Sequence, residues 1–319
     1  MTFTCKENGR LDLIMSKELD KSRAQIEKFI KNIGVIVNDK EVKKPGFKLK
    51  TGDKIEYEFA MPQEQKNEYR VDFDIDVLYE DDDILVINKP PFLTVHPAPS
   101  VKEATLVDWL KQKGVRLSTI SGEERHGIVH RIDKETSGAL VIAKNDEAHI
   151  NLSNQLQDKS MGRYYLAVID LPLKDNLTID KPIGRNRKNR LKMDVVEGGK
   201  VAKSAFVKLL ESEKSRFELI AVKLFTGRTH QIRVHLNSLS RHILGDGLYG
   251  FKSQNGKISR VMLHAYVLYL KHPKTGRDLE ITAPLFEDFK DVLEKYFNKE
   301  RVYESIAPDF VVTSFSTDF

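Results

Sequence analysis

The chain has 319 residues, room for two or three domains and a sizeable core at about 100–200 residues per domain, which excludes a peptide or a wholly disordered segment. Hydrophobic residues make up 40% and charged residues 31% of it, and no apolar run approaches the roughly 18 residues of a membrane span, so it reads as soluble and globular. Lys and Arg outnumber Asp and Glu by 52 to 47, a balance too even to select a partner; the distribution along the chain says more.

The opening MTFTCKENGRLDL has no charged-then-apolar leader pattern, and the expected location is the cytoplasm. Cys5 is the only cysteine, so an intrachain disulfide or a multi-cysteine zinc site is excluded. Residues 11–59 read as a small module. Ser22 is placed to cap a helix with Ile26, Phe29, Ile30 and Ile33 at helical spacing, and the other face carries Arg23, Lys28 and Lys31. VIVN, an Asn38-Asp39-Lys40 turn and EVK predict a hairpin, and DKIEYEF a further strand. Nine Lys/Arg stand against three acids over 21–50. The polar, aperiodic segment around Pro62 predicts a linker over 61–70 that closes a first domain at residue 60.

From residue 73 short apolar strands dominate. DILVINKP, GALVIAKND, YYLAVID, SAFVKLLES, RFELIAVKLF and VMLHAYVLYL read as strands, and TLVDWLKQK, AHINLSNQLQDK and FEDFKDVLEKYFN as helices. Several strands in succession without long helices favour an α+β fold, a mixed, mainly antiparallel sheet, over a parallel doubly wound one. Residues 185–203 hold seven bases against two acids. Two separated basic stretches suit a polyanion partner, with a solvated face as the plain alternative. Residues 71–298 form the second domain in this reading, and 299–319 a tail.

Several motifs fail their context. GDGLYG at 245–250 matches G-x-G-x-x-G but is followed by polar FKSQNGK in place of an amphipathic helix, so a dinucleotide site is not expected. GGKVAKS lacks phosphate-loop spacing, no Gly-x-Ser-x-Gly elbow occurs, and His126 and His130 flank a β-type run without a third ligand. No metal and no cofactor are expected. HGIVHRIDKETSGALVIAKND at 126–146 is different: Asp133 follows Arg131 and precedes Thr136, Ser137 and Gly138, a carboxylate on a tight turn. Local chemistry alone leaves a capping and a catalytic aspartate both open.

SRAQIEKFIKNIGVIVNDKEVKKPGFKLKTGDKIEYEF resembles the S4 RNA-binding module, which implies RNA docking. HRIDKETSG is similar to the signature of the RluA/RluD family of pseudouridine synthases, with Ile132 where leucine is usual. NKPPFLTVHPAPS, RYYLAVI, KPIGRNRKNRLKM, TGRTHQIRVHL, HILGDGLYG and LHAYVLYLKHP follow in that family's order. The resemblance implies isomerisation of uridine in structured RNA without a cofactor, pointing to large-subunit (23S) ribosomal RNA with transfer RNA as the alternative, by a cytoplasmic monomer with no membrane partner. It assigns catalysis to Asp133, an active-site tyrosine to Tyr165, and to Arg233 the fixed cation beside the carboxylate. A core tyrosine is the plain alternative for Tyr165; the active-site reading is preferred because Tyr164 and Tyr165 face opposite sides of a strand and only one is expected inward. Arg131 is expected at the extruded nucleotide, Arg228, His230 and Gln231 at phosphates or in positioning, Arg185, Arg187, Lys188 and Arg190 along the RNA backbone, and Arg23, Lys28 and Lys31 on the docking helix. An RNA-binding or assembly factor that has lost the reaction is the competing reading.

Overall fold

The computed structural model describes residues 1–19, 23–58, 69–98, 100–120, 126–250 and 258–316. The chain divides into two compact units, Met1–Asn67 and Glu68–Phe319. Among the described residues no helix is long and apolar enough to cross a membrane.

The first unit contains β1 (Thr2–Thr4), β2 (Gly9–Arg10), α1 (Leu11–Glu18), α2 (Arg23–Asn32), β3 (Val35–Val37), β4 (Lys40–Val42), β5 (Lys48–Leu49) and β6 (Lys54–Glu56). Four strands pair in the order β1-β6-β3-β4, and β2 pairs with β5, all antiparallel. Asn38 and Asp39 at φ 46° and 65° make the two-residue turn of the β3–β4 hairpin, the left-handed pair that strand twist demands there. Ile26, Phe29 and Ile30 of α2 pack with Leu11, Met15, Val35, Val37 and Ile55. Ile33 does not join them: it lies past the end of the helix and is 45% exposed. Arg23 is tied inward, its Nε donating to the buried Asp12 carboxylate at 2.9 Å, which Arg10 also grips at 2.9 Å. The Arg10 bonds, aided by Arg23, hold the Asp12 carboxyl down to about 2. Lys31 is exposed. Ser22, the Lys28 side chain and nearly all of the expected linker lie outside the described residues.

The second unit comprises β7 (Asp76–Glu80), β8 (Ile84–Lys89), α3 (Leu106–Gln112), β9 (Ser137–Ala143), α4 (Asp146–Asp158), β10 (Gly162–Ile169), β11 (Leu177–Asp180), β12 (Ile183–Arg185), β13 (Met193–Val195), β14 (Lys203–Glu211), β15 (Glu218–Leu224), α5 (Gln231–Asn237), β16 (Leu263–Lys271), β17 (Asp278–Thr282), α6 (Glu287–Tyr296), α7 (Lys299–Ser305) and α8 (Pro308–Thr313). Its sheet runs β11-β14-β15-β10-β16-β9-β8-β7, with β17 also on β16. Only β9 and β16 pair in parallel among these strands, so the mainly antiparallel α+β expectation holds.

Every residue of β8, β9 and β10 is buried, because the sheet is covered on both faces. Leu85, Ile87, Leu140 and Ile142 pack on α3, while Ile84, Val86, Ala139 and Val141 pack with Ala148 and Leu152 of α4. This corrects the expectation for Tyr164 and Tyr165: both are buried. Tyr164 stacks at 5.6 Å on Tyr269 and 5.3 Å on Phe315, and Tyr165 faces the opposite side. The expected tail is also corrected. α7 and α8 send Val302, Ile306 and Val311 into the main core, and the Tyr266 hydroxyl donates to the Ile306 carbonyl at 2.8 Å.

Candidate active site

The Asp133 turn leads into β9 at the one place where that strand meets β16. Ser137 Oγ contacts His264 Nδ1 at 2.8 Å across the junction. Gly138 sits at φ +111°, and a Cβ there would lie 2.2 Å from the Ala265 carbonyl oxygen, so only glycine lets the two strands approach. From beneath, the buried Lys89 ammonium donates to the carbonyls of Pro90, Leu93 and Lys134 at 2.7, 2.9 and 3.2 Å, fixing the turn from the side away from solvent. The Thr136 N–H bonds the Asp133 backbone carbonyl at 3.1 Å. Among the described residues the Asp133 carboxylate itself caps nothing, and its only hydrogen bond comes from Arg233 Nη1 at 3.3 Å. That leaves one carboxylate oxygen turned to a cleft.

Arg233 is held more tightly elsewhere. Its Nε and Nη2 make a bidentate pair with Asp246 at 2.7 and 2.8 Å, both side chains buried, and its guanidinium lies 5.1 Å over the Tyr249 ring. Burial opposes the charge, but the Asp246 bonds outweigh it and raise the Arg233 pKa. Burial likewise opposes the Asp246 charge, and Arg233 with the Leu248 and Tyr249 N–H groups overcomes it. The pairing that the resemblance implied is therefore present but secondary: one cation serves two carboxylates. His230, at φ 55°, places Nδ1 3.0 Å from the Tyr249 hydroxyl and Nε2 3.9 Å from Asp133, the latter too long for a hydrogen bond. Burial pushes the His230 pKa down, favouring the neutral ring.

The cleft in front of Asp133 is open to solvent and is lined by Arg131, Ile132, Thr136, Arg163, Tyr165, Leu224, residues 227–233 and Leu263. Tyr165 is buried in its wall, and burial raises its phenol pKa. Arg131 and Arg228 are exposed at its edge. Of the two expectations for Gln231, a phosphate contact or positioning, the structure fits positioning: its Oε1 accepts from Thr226 Oγ1 and Arg228 N, and its Nε2 donates to Lys203 O and Ser204 Oγ. With both ends of the amide engaged, it shapes the loop. Arg185, Arg187 and Lys188 do not line the cleft; they are exposed on the β12–β13 hairpin. That hairpin is tied to the site through the Tyr249 hydroxyl, which accepts from the Met193 N–H at 2.7 Å.

Sequence reasoning missed Arg163, Asp246 and Tyr249. The last two belong to GDGLYG, set aside because it cannot open a dinucleotide fold. Its glycines serve another purpose: a Cβ at Gly245, φ +76°, would lie 1.8 Å from the Arg260 carbonyl oxygen, and the resulting turn delivers Asp246 to Arg233.

Comparison with known proteins follows this division of the chain. The S4 domain model matches residues 9–55, and the RNA pseudouridylate synthase model matches residues 83–238. An uncharacterized RNA pseudouridine synthase of Helicobacter pylori strain J99 is 46% identical, covering 96% of this chain and 95% of its own. The chain belongs to the RNA pseudouridine synthase family. Ribosomal large subunit pseudouridine synthase D of Pseudomonas aeruginosa is 38% identical over 88% of this synthase and 89% of its own length, and the Zymomonas mobilis protein of that name 35% over 88% and 92%. Among solved structures, human RNA pseudouridylate synthase domain containing 1 shares the fold at a TM-score of 0.59, with 24% identity over 77% of this synthase and 96% of that chain. This pseudouridine synthase is thus an isomerase of RNA, and the competing view of a bare binding factor loses its ground.

Proposed function

We propose that this enzyme isomerises uridine in structured large-subunit ribosomal RNA in the cytoplasm, using Asp133 and no cofactor. The observation that carries the reading is the Asp133 carboxylate at the cleft, capping nothing, touched by one nitrogen of a buried arginine and facing the Tyr165 wall. Such a group is free to act on the sugar of an extruded nucleotide. Arg233 supports its charge without quenching it, because Asp246 takes two of the three guanidinium contacts. Tyr165 offers a flat wall against which a pyrimidine ring packs once it is out of the RNA stack. The ribosomal target is supported by the S4 match and by the large-subunit names of the two relatives at 38% and 35% identity.

Asp133→Asn tests the catalytic assignment. The amide keeps the shape and removes the charge, so tritium release from 5-tritiated uridine in ribosomal RNA should fall to background while RNA affinity stays within about threefold, since phosphate contacts elsewhere supply affinity. Turnover near the wild-type rate would remove Asp133 from the chemistry. Mapping pseudouridine in large-subunit RNA from cells with and without the gene tests the target.

A further inference from the structure

Arg163 is a cation in the cleft wall without a counter-ion. It stands two residues before Tyr165 on β10, so both side chains leave the same face of the strand about 7 Å apart, and both line the cleft. Arg163 is only 8% exposed, and its Nε has no hydrogen-bond partner. No ion pair or hydrogen bond joins its guanidinium to any described residue, in contrast to Arg233 and Arg260, which each grip a carboxylate. Its charge acts on two titratable neighbours, His130 and Tyr165, and Asp133 lines the same cleft without pairing with it. His130 is buried, with its pKa pushed well down first by burial and then by Arg163, so it is neutral and neutralises nothing. Gly227, also in the cleft lining, lies beside the guanidinium: a Cβ there would rest 3.4 Å from Nη1, in ordinary contact.

A buried, unpaired cation lowers stability and is retained where a ligand supplies its partner. The reaction generates a suitable one. When the N1–C1′ bond of uridine breaks, its electron pair leaves with the base, giving an anion shared by N1, O2 and O4. C5 then bonds to C1′, the C5 proton is lost and N1 gains a proton, so composition is unchanged. We propose that Arg163 binds a carbonyl oxygen of the uracil and stabilises the negative charge on the detached base. A backbone phosphate is the weaker fit, because Arg131 and Arg228, exposed at the cleft's edge, are the more accessible cations for it. The inference rests on the cleft being the uridine pocket, and it holds whichever sugar atom Asp133 engages.

Leaving-group chemistry provides the test. Arg163→Met and Arg163→Lys are compared with wild type in single-turnover reactions on RNA carrying uridine or 5-fluorouridine, read as disappearance of the parent nucleoside from nuclease digests. Fluorine withdraws electrons and stabilises the departing anion by itself. Arg163→Met should slow the uridine reaction about 100-fold at saturating RNA and the fluorouridine reaction by a factor about tenfold smaller, with Arg163→Lys between it and wild type. Its melting temperature should equal or exceed the wild-type value, because no internal partner is lost. Equal penalties on the two substrates would overturn the proposal. So would a defect confined to RNA affinity with a shallower salt dependence, which marks a phosphate contact, or a large fall in melting temperature, which marks a structural arginine. Asp133→Asn run alongside separates the two readings: an active Asp133→Asn undermines the pocket itself, whereas an inactive one with a fully active Arg163→Met removes Arg163 alone.

Discussion

Charge at single residues decides what this cleft can do. Arg233 gives two nitrogens to Asp246 and one to Asp133, so its geometry is fixed by the carboxylate that does not line the cleft. Asp133 is only lightly held, by one hydrogen bond at 3.3 Å, which suits the role proposed for it at the sugar. Glu218 shows the opposite economy. Its side chain is wholly buried at the start of β15, Oε2 accepts from the Leu173 N–H at 2.8 Å, and Oε1 has only Lys208 Nζ at 3.7 Å. Burial pushes its carboxyl up to about 7. A raised acid holds its proton in the folded state where the unfolded chain has released it, so folding stability falls as pH climbs from about 4.5 to about 7, by up to about 3 kcal/mol. Glu218→Gln lacks that loss. In urea denaturation its stability relative to wild type should improve by about that amount between the acid and the alkaline end of this window, and a gap independent of pH would show that Glu218 ionises normally.

Elements with an apolar stripe or an unbroken apolar run were legible in the sequence; those whose buried residues are partly polar, or that are defined by turns, were not. α2, α4 and α6 present stripes, and hydrophobic runs marked β8, β9, β10 and β15. α5 left no such trace because Gln231 through Leu236 are all buried and three of them, Gln231, Arg233 and His235, are polar or charged, with Gln231 and His235 both bonded to Ser204 Oγ. Asp133 was found through its motif, while Asp246 was missed because its contact with Arg233 depends on a glycine turn that sequence spacing does not encode. The β12–β13 hairpin is the element on which an RNA-tracking role can be checked. Its tip exposes Arg187 and Lys188 and is shaped by Asn186 Oδ1, which accepts from the Lys188 and Asn189 N–H groups at 2.8 Å each. Neutralising Arg187 and Lys188 to Gln should weaken RNA binding and flatten log affinity against log salt by about 0.7–0.9 per lost phosphate contact, with the saturated rate unchanged. A lowered saturated rate with an unaltered slope would place the hairpin in the chemistry instead.

At the scale of the whole molecule, each unit has its own core: Leu11, Ile26 and Ile55 belong to one, Leu166, Phe206 and Val267 to the other. Deleting residues 1–67 should therefore leave a folded enzyme that still modifies concentrated RNA and works poorly on dilute structured RNA, because a tethered second binding module acts by effective concentration. Unchanged activity on ribosomal RNA at low enzyme concentration would deny the first unit a docking role. The junction of β9 with β16 carries a different consequence. Ser137 and Gly138, just past Asp133, pair with His264 and Ala265, more than a hundred positions later in the chain, a contact that closes late because the intervening loop must first be gathered in. During translation, then, the Asp133 turn emerges from the ribosome long before the strand that packs against it. A nascent chain that has not yet delivered β16 already holds Asp133, Lys89 and Arg233 but lacks the strand that packs against Gly138, so the turn is seated only when that strand arrives.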